Sequence, residues 1–142
     1  MLMAAAALPK VLAATDDQVS AVKQFVIDWY RIYYTDLDKS AYRALLTEDY
    51  LLLENGEIFD AEMDLSLMPT PEDEYRRNDT FNFHSVKIQG DTAYAVYFLK
   101  SDIRSKKLGS IQREWLESIL LRRGEAKSWQ VALLHSTKLV KA

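Results

Sequence analysis

From Val19 onward, apolar residues recur at intervals of three and four: Val19, Val22, Phe25, Val26, Trp29, Tyr30 and Tyr33. That spacing puts them on one broad face and predicts a long amphipathic helix, with Thr15 or Asp16 as its cap. Asp36 to Ser40 read as a turn, and Tyr42, Leu45 and Leu46 mark a second, shorter helix. Next come two short strands, Tyr50–Glu54 and Glu57–Phe59, joined by Asn55-Gly56, a pair that tolerates the positive φ angles of a tight hairpin. Asp60 to Met68 predict a helical turn. Thr70-Pro71 then opens a short helix, with a capping hydroxyl followed by proline at the first helical position, and Asn78 and Asp79 interrupt it.

The second half alternates with period two. Phe81, Phe83 and Ser85 oppose His84, Val86 and Ile88; beyond a Gln89-Gly90-Asp91 turn, Ala93, Ala95, Tyr97 and Leu99 oppose Tyr94, Val96 and Phe98. Residues 111–123 and 129–139 form two further strands. Both faces carry large side chains, so the sheet is expected to be covered on each side, and the short connections suit an antiparallel meander. The whole is an α+β plan: a cone-shaped, curved antiparallel sheet wrapped around the long amino-terminal helix, with a side pocket where curvature opens one end. One domain is expected over 15–142. Residues 1–14 are an apolar arm or the remnant of an export signal, too short to span a membrane. The location is cytoplasmic if they are an arm, periplasmic or secreted if they are a signal.

The segments FVIDWYRIYYTDLDKSAYRALLTEDYLLLENGEI, VKIQGDTAYAVYFL and REWLESILLRRGEAKSWQVALLHSTKL together resemble the nuclear transport factor 2-like superfamily, which includes SnoaL-like polyketide cyclases and ketosteroid isomerases. The resemblance covers most of Gln18 to Leu139. It implies a homodimer and an enclosed apolar pocket, used in some members for isomerisation, cyclisation or dehydration and in others only for binding or scaffolding. Ketosteroid isomerases use a carboxylate base, a tyrosine and a carboxylic acid. The base position falls near Glu54. The tyrosine position lands near Asp28, with Tyr30 and Tyr33 close by, and the acid position near Ser118, with Glu117 adjacent.

Charge and composition narrow the chemistry. A formal net charge of −3 gives no general attraction to nucleic acid, and Arg104, Lys106 and Lys107 read as a solvated loop. With no cysteine and two histidines, a thiol nucleophile is excluded and a metal centre or other cofactor is not expected. Asp60, Glu62 and Asp64 would spread around a helix and face solvent. Glu54 is the candidate base, or else a solvated residue at a hairpin end. His135 is a candidate orienting or proton-relay group, or a polar residue satisfied within the sheet; histidines in this strand often line the pocket of SnoaL-like proteins. It cannot activate Ser136, since neighbours in a strand face opposite ways. Trp29, Tyr30, Tyr33, Tyr50 and Glu117 complete the expected ligand-binding set. The leading expectation is a protein that binds a small apolar molecule, with isomerase or lyase activity left open. The alternative is a non-catalytic homodimerisation or protein-interaction module.

Overall fold

A computed structural model describes residues 12–140. Helix α1 spans Asp16–Arg31 and starts at a reciprocal capping box, in which Thr15 Oγ1 accepts from the Gln18 N–H and Gln18 Oε1 accepts from the Thr15 N–H. Its apolar stripe buries Val22, Val26, Trp29 and Tyr30. The helix widens into a π-helical turn, Ile32–Asp36, and stops at Leu37, whose φ of 52° is left-handed. Adjacent residues on an α-helix point about 100° apart, yet Tyr33 and Tyr34 of the widened turn both reach the same cavity. Helix α2, Lys39–Ala44, follows, capped by Asp38.

The hairpin pairs β1, Leu46–Glu54, with β2, Glu57–Phe59; Asn55 and Gly56 both have the positive φ that this turn demands. Helix α3, Ala61–Ser66, is capped by Asp60, and a single 3₁₀ turn, Pro71–Asp73, leads into the long strands. These are β3, Arg76–Gln89; β4, Thr92–Ser105; β5, Gly109–Arg123; and β6, Trp129–Lys138.

All six strands form one sheet in the order β2-β1-β6-β5-β4-β3, and α1 packs on β3 and β4. The antiparallel sheet expected from the sequence proves to be mixed, because β1 runs parallel to β6 while every other pair is antiparallel. Short connections dictate antiparallel neighbours only for consecutive strands, and β1 and β6 lie at opposite ends of the chain. Strand β3 also begins five residues earlier than the aromatic pattern suggests. Arg77 and Asp79 take the inward positions that continue into Phe81 and Phe83, and their charges hide the alternation. Of the segment 1–14, residues 1–11 lie outside the described residues. No helix among the described residues is long and apolar enough to cross a membrane.

Candidate functional site

The sheet's inner face carries a polar row. In register across β4, β5, β6 and β1 stand Tyr97, Glu117, Ser136 and Glu54. Strand spacing places Glu54 and Glu117 roughly 10 Å apart, with Ser136 between them. Tyr97, Glu117 and Ser136 are buried, and Glu54 is part-buried near the open hairpin end. From α1, Tyr30 reaches down and donates its hydroxyl hydrogen bond to Glu117 Oε1. The hydroxyls of Ser136 and Tyr97 and the indole Nε1 of Trp29 are buried without a hydrogen-bond partner. Unsatisfied buried polar groups are rare because each carries a desolvation penalty; Trp29 and Ser136 line the cavity, and the Ser136 and Tyr97 hydroxyls lie close enough to Glu117 to act on its carboxyl.

A second polar centre closes the cavity opposite. Asp64 is buried, and its Oδ2 accepts from Tyr42 Oη at 2.7 Å and Tyr50 Oη at 2.8 Å. Tyr33 Oη donates to the Asp64 backbone carbonyl at 2.7 Å. Trp29 stacks on Tyr42, with centroids 5.1 Å apart, and so backs the same tyrosines. Asp64 was expected to face solvent with Asp60 and Glu62. Instead α3 turns it inward, and three tyrosines from three different elements hold it there.

Arg77 is the third component, and nothing in the sequence pattern singled it out. Its side chain is only 4% exposed; Nε donates to Asp79 Oδ1 at 2.7 Å, and the guanidinium lies 3.8 Å from the Tyr34 ring centroid and 5.1 Å from that of Trp115. Salt bridge and stacking fix its plane, as a guanidinium's rigid fork allows.

These groups line a half-open cavity with about 40 Å³ of free space, on the order of a few water molecules. Its walls differ from the apolar lining expected, because Glu54, Asp64, Glu117 and Arg77 all line it beside the aromatic rings. Burial pushes the Glu54 carboxyl above the ordinary carboxylate range and the Asp64 charge adds to the rise, while Arg77 opposes it. Burial likewise raises Glu117, against the pull of its hydroxyl neighbours and Arg77, and raises Asp64 against its tyrosines. Among the described residues no cluster of acids and histidines could hold a metal ion.

Trp29, Tyr30, Tyr33, Tyr50, Glu54 and Glu117 therefore share the cavity. His135 does not, and its pairing with Glu54 is corrected. It is exposed on the opposite face of the sheet, in a row with Val96, Ser118 and Leu53. A strand's side chains alternate between faces, and the inward parity of β6 belongs to Leu134 and Ser136.

The raised Glu117 carboxyl gives a stability test. A carboxyl whose folded pKa lies above its unfolded value binds more protons when folded, so it favours the fold in acid. That contribution is lost as pH rises from about 4.5 through the folded pKa. Glu117→Gln keeps an acceptor for Tyr30 and offers an amide to the unpaired hydroxyls. It is expected to raise Tm by a few °C at about pH 8 and to flatten the pH dependence above about pH 5. Thermal unfolding across that range checks this, and a variant less stable than the parent at high pH contradicts it.

No protein-family model matches the chain, and no curated protein matches it. Solved structures do. A ketosteroid isomerase-like protein from Erwinia carotovora atroseptica superposes with a TM-score of 0.67 at 20% identity, covering 89% of this chain and all of that one. A structure assigned as a Ca/calmodulin-dependent kinase II association domain, from Exiguobacterium sibiricum, gives 0.72 at 16% identity, covering 92% and 99%. A nuclear transport factor 2-like protein from Cytophaga hutchinsonii gives 0.65 at 15%, covering 82% and 98%. At this level of identity the likeness is one of fold: the chain has the nuclear transport factor 2-like fold.

Proposed function

We propose that the protein binds a small carbonyl compound in the cavity between α1 and the sheet, and that Glu54 moves a proton on it in an isomerase or lyase reaction. The observation that carries this is the row Glu54–Ser136–Glu117, which sets a carboxylate of raised basicity across from a buried carboxyl. A general base works best with its pKa near the working pH, and desolvation moves Glu54 in that direction. Glu117, when protonated, has a hydrogen to donate, and with Ser136 it can stabilise the negative charge that grows on the carbonyl oxygen as Glu54 takes the proton. Arg77 favours the same charge from the cavity wall. The ketosteroid isomerase-like neighbour supports the reading, with the tyrosine and acid roles falling on Tyr30 and Glu117. A helix roofing a curved, cone-like sheet is the shape such a pocket requires. The small free volume limits the ligand to a few non-hydrogen atoms unless the aromatic walls move.

Binding of a panel of small carbonyl compounds, followed by calorimetry and by solvent-deuterium exchange at the carbon next to the carbonyl, tests this. Glu54→Gln is expected to bind within about threefold of the parent and to lose exchange by at least ~100-fold. Full exchange in the variant removes Glu54 as the base, and no binding by the parent removes the pocket reading.

A second reading rests on the outer sheet face. There Tyr94, Phe98, Leu116 and Leu51 are exposed and Leu120, Leu133 and Leu53 are half-buried, in adjoining rows around His135. We propose that a second copy of the chain covers this face, as the homodimer implied by the fold would. The likeness to a kinase association domain supports such a role. Molar mass in solution tests it, and a monomer at high micromolar concentration overturns it.

A further inference from the structure

At the start of β3, one residue before Arg77, the charge pattern is reversed. Arg76 on β3 stands directly opposite Arg104 on β4, which in turn pairs with Ser110 on β5. Like charges placed directly opposite in an antiparallel pair repel, and neither arginine has an ion-pair partner among the described residues. The β4–β5 turn folds over them and is fastened to the 3₁₀ turn, because the Lys106 N–H donates to the Asp73 carbonyl at 3.1 Å and Lys106 Nζ pairs with Glu74 at 3.2 Å. Between the two turns lies an open cleft of about 790 Å³ that takes in Arg76, Arg104, Lys106 and the hydroxyls of Ser105 and Ser110. Tyr75, stacked on Tyr34 at 5.7 Å, gives it an aromatic wall.

We propose that this cleft binds the phosphoryl group of a small organic phosphate. Two cations in it are already neutralised, Arg77 by Asp79 and Lys106 by Glu74. Arg76 and Arg104 remain, a charge of +2 that matches a phosphate monoester dianion near neutral pH. Guanidinium forks and serine hydroxyls are donors suited to its oxygens, and the cleft has room for the rest of the molecule beside Tyr75. The chain as a whole is acidic, so this is a local concentration of charge and not a general basic surface. The cleft shares Tyr34 and Arg77 with the carbonyl cavity, but its key cations Arg76 and Arg104 do not line that cavity, and its test uses neither Glu54 nor Arg77.

Inorganic pyrophosphate is the probe, titrated into the full chain by calorimetry and by thermal shift, with sodium chloride at matched ionic strength and citrate as comparison arms. Pyrophosphate is expected to raise Tm and chloride is not. Arg104→Ser is expected to weaken pyrophosphate binding about tenfold, the loss of one charge-assisted contact, and Arg76→Ser with Arg104→Ser to abolish it. Lys87→Ser, at the far end of β3, should bind as the parent does. Without anion, Arg104→Ser should be at least as stable as the parent, since a repulsion is removed. Equal stabilisation by chloride overturns the proposal as charge screening only. Parental binding in the double variant overturns the site, and tighter binding of citrate than of pyrophosphate overturns the phosphate assignment.

Discussion

Asp64→Ala is expected to lower stability by roughly 3–5 kcal/mol, because it leaves two buried tyrosine hydroxyls without an acceptor at about 1–3 kcal/mol each and opens a small void. Tyr42 and Tyr50 both end on Asp64 Oδ2, and both are core residues. For a domain of this size, the change corresponds to a fall in Tm on the order of 10 °C. Asp64→Asn is the informative control. It keeps one oxygen that both hydroxyls can reach and no longer buries an acid whose charged form desolvation disfavours. Its cost should therefore stay within about 1 kcal/mol. The Tyr33 bond, made to the backbone carbonyl, survives in both variants. Equal losses for alanine and asparagine in chemical denaturation would show that an acceptor oxygen at this position does not by itself hold the tyrosine cluster together.

Arg77→Met should cost a comparable amount, roughly 3–5 kcal/mol, by leaving Asp79 as an uncompensated, mostly buried charge. Asp79 is 15% exposed and would retain only the Ser101 hydroxyl as a partner. Stacking on Tyr34 and Trp115 is lost as a cation–π contact but partly kept as packing, since methionine is apolar and flexible. Removing both members of the pair, with Arg77→Met and Asp79→Asn together, should recover much of the loss, because breaking a buried pair costs more than replacing it. A double variant no more stable than Arg77→Met would contradict that account. Arg77 also holds down the carboxyls of Glu54 and Glu117. Any proton-transfer activity should then need a higher pH in Arg77→Met than in the parent, which a pH–rate profile reads directly.

These residues show where the sequence was readable and where it was not. The first helix and the Asn55-Gly56 hairpin were legible because their signals are local: a 3.6-residue period, a capping pair, and a dipeptide suited to positive φ. The order of elements and the cavity's aromatic lining followed from that frame. The parity of β6 did not. Residues 131–134, Val-Ala-Leu-Leu, are apolar on both parities, and a register irregularity between Leu120 and Leu121 lets Val131 and Ala132 both be buried. Counting by two from the apolar run therefore has no fixed starting point, and a step of one residue exchanges His135 for Ser136. Arg77 and Asp64 were hidden for a related reason. Charged side chains are read as solvated by default, and only the partners brought in by the fold, Asp79 for one and tyrosines for the other, make their burial affordable.

The parallel pairing of β1 with β6 also sets the order in which the molecule can be assembled. Leu46 lies against Val131, and Glu54 against Ser136, so this contact closes a loop of most of the chain. The meander β3-β4-β5-β6 needs only neighbouring strands and closes short loops, whereas the β1–β6 contact must wait for the last strand to exist. During synthesis from the amino terminus, Glu54 is made early but has no wall to join until β6 emerges. The cavity is thus completed only in the final docking step: a chain cut before Trp129 would lack Leu134 and Ser136 of its wall and the strand that sets Glu54 beside Glu117.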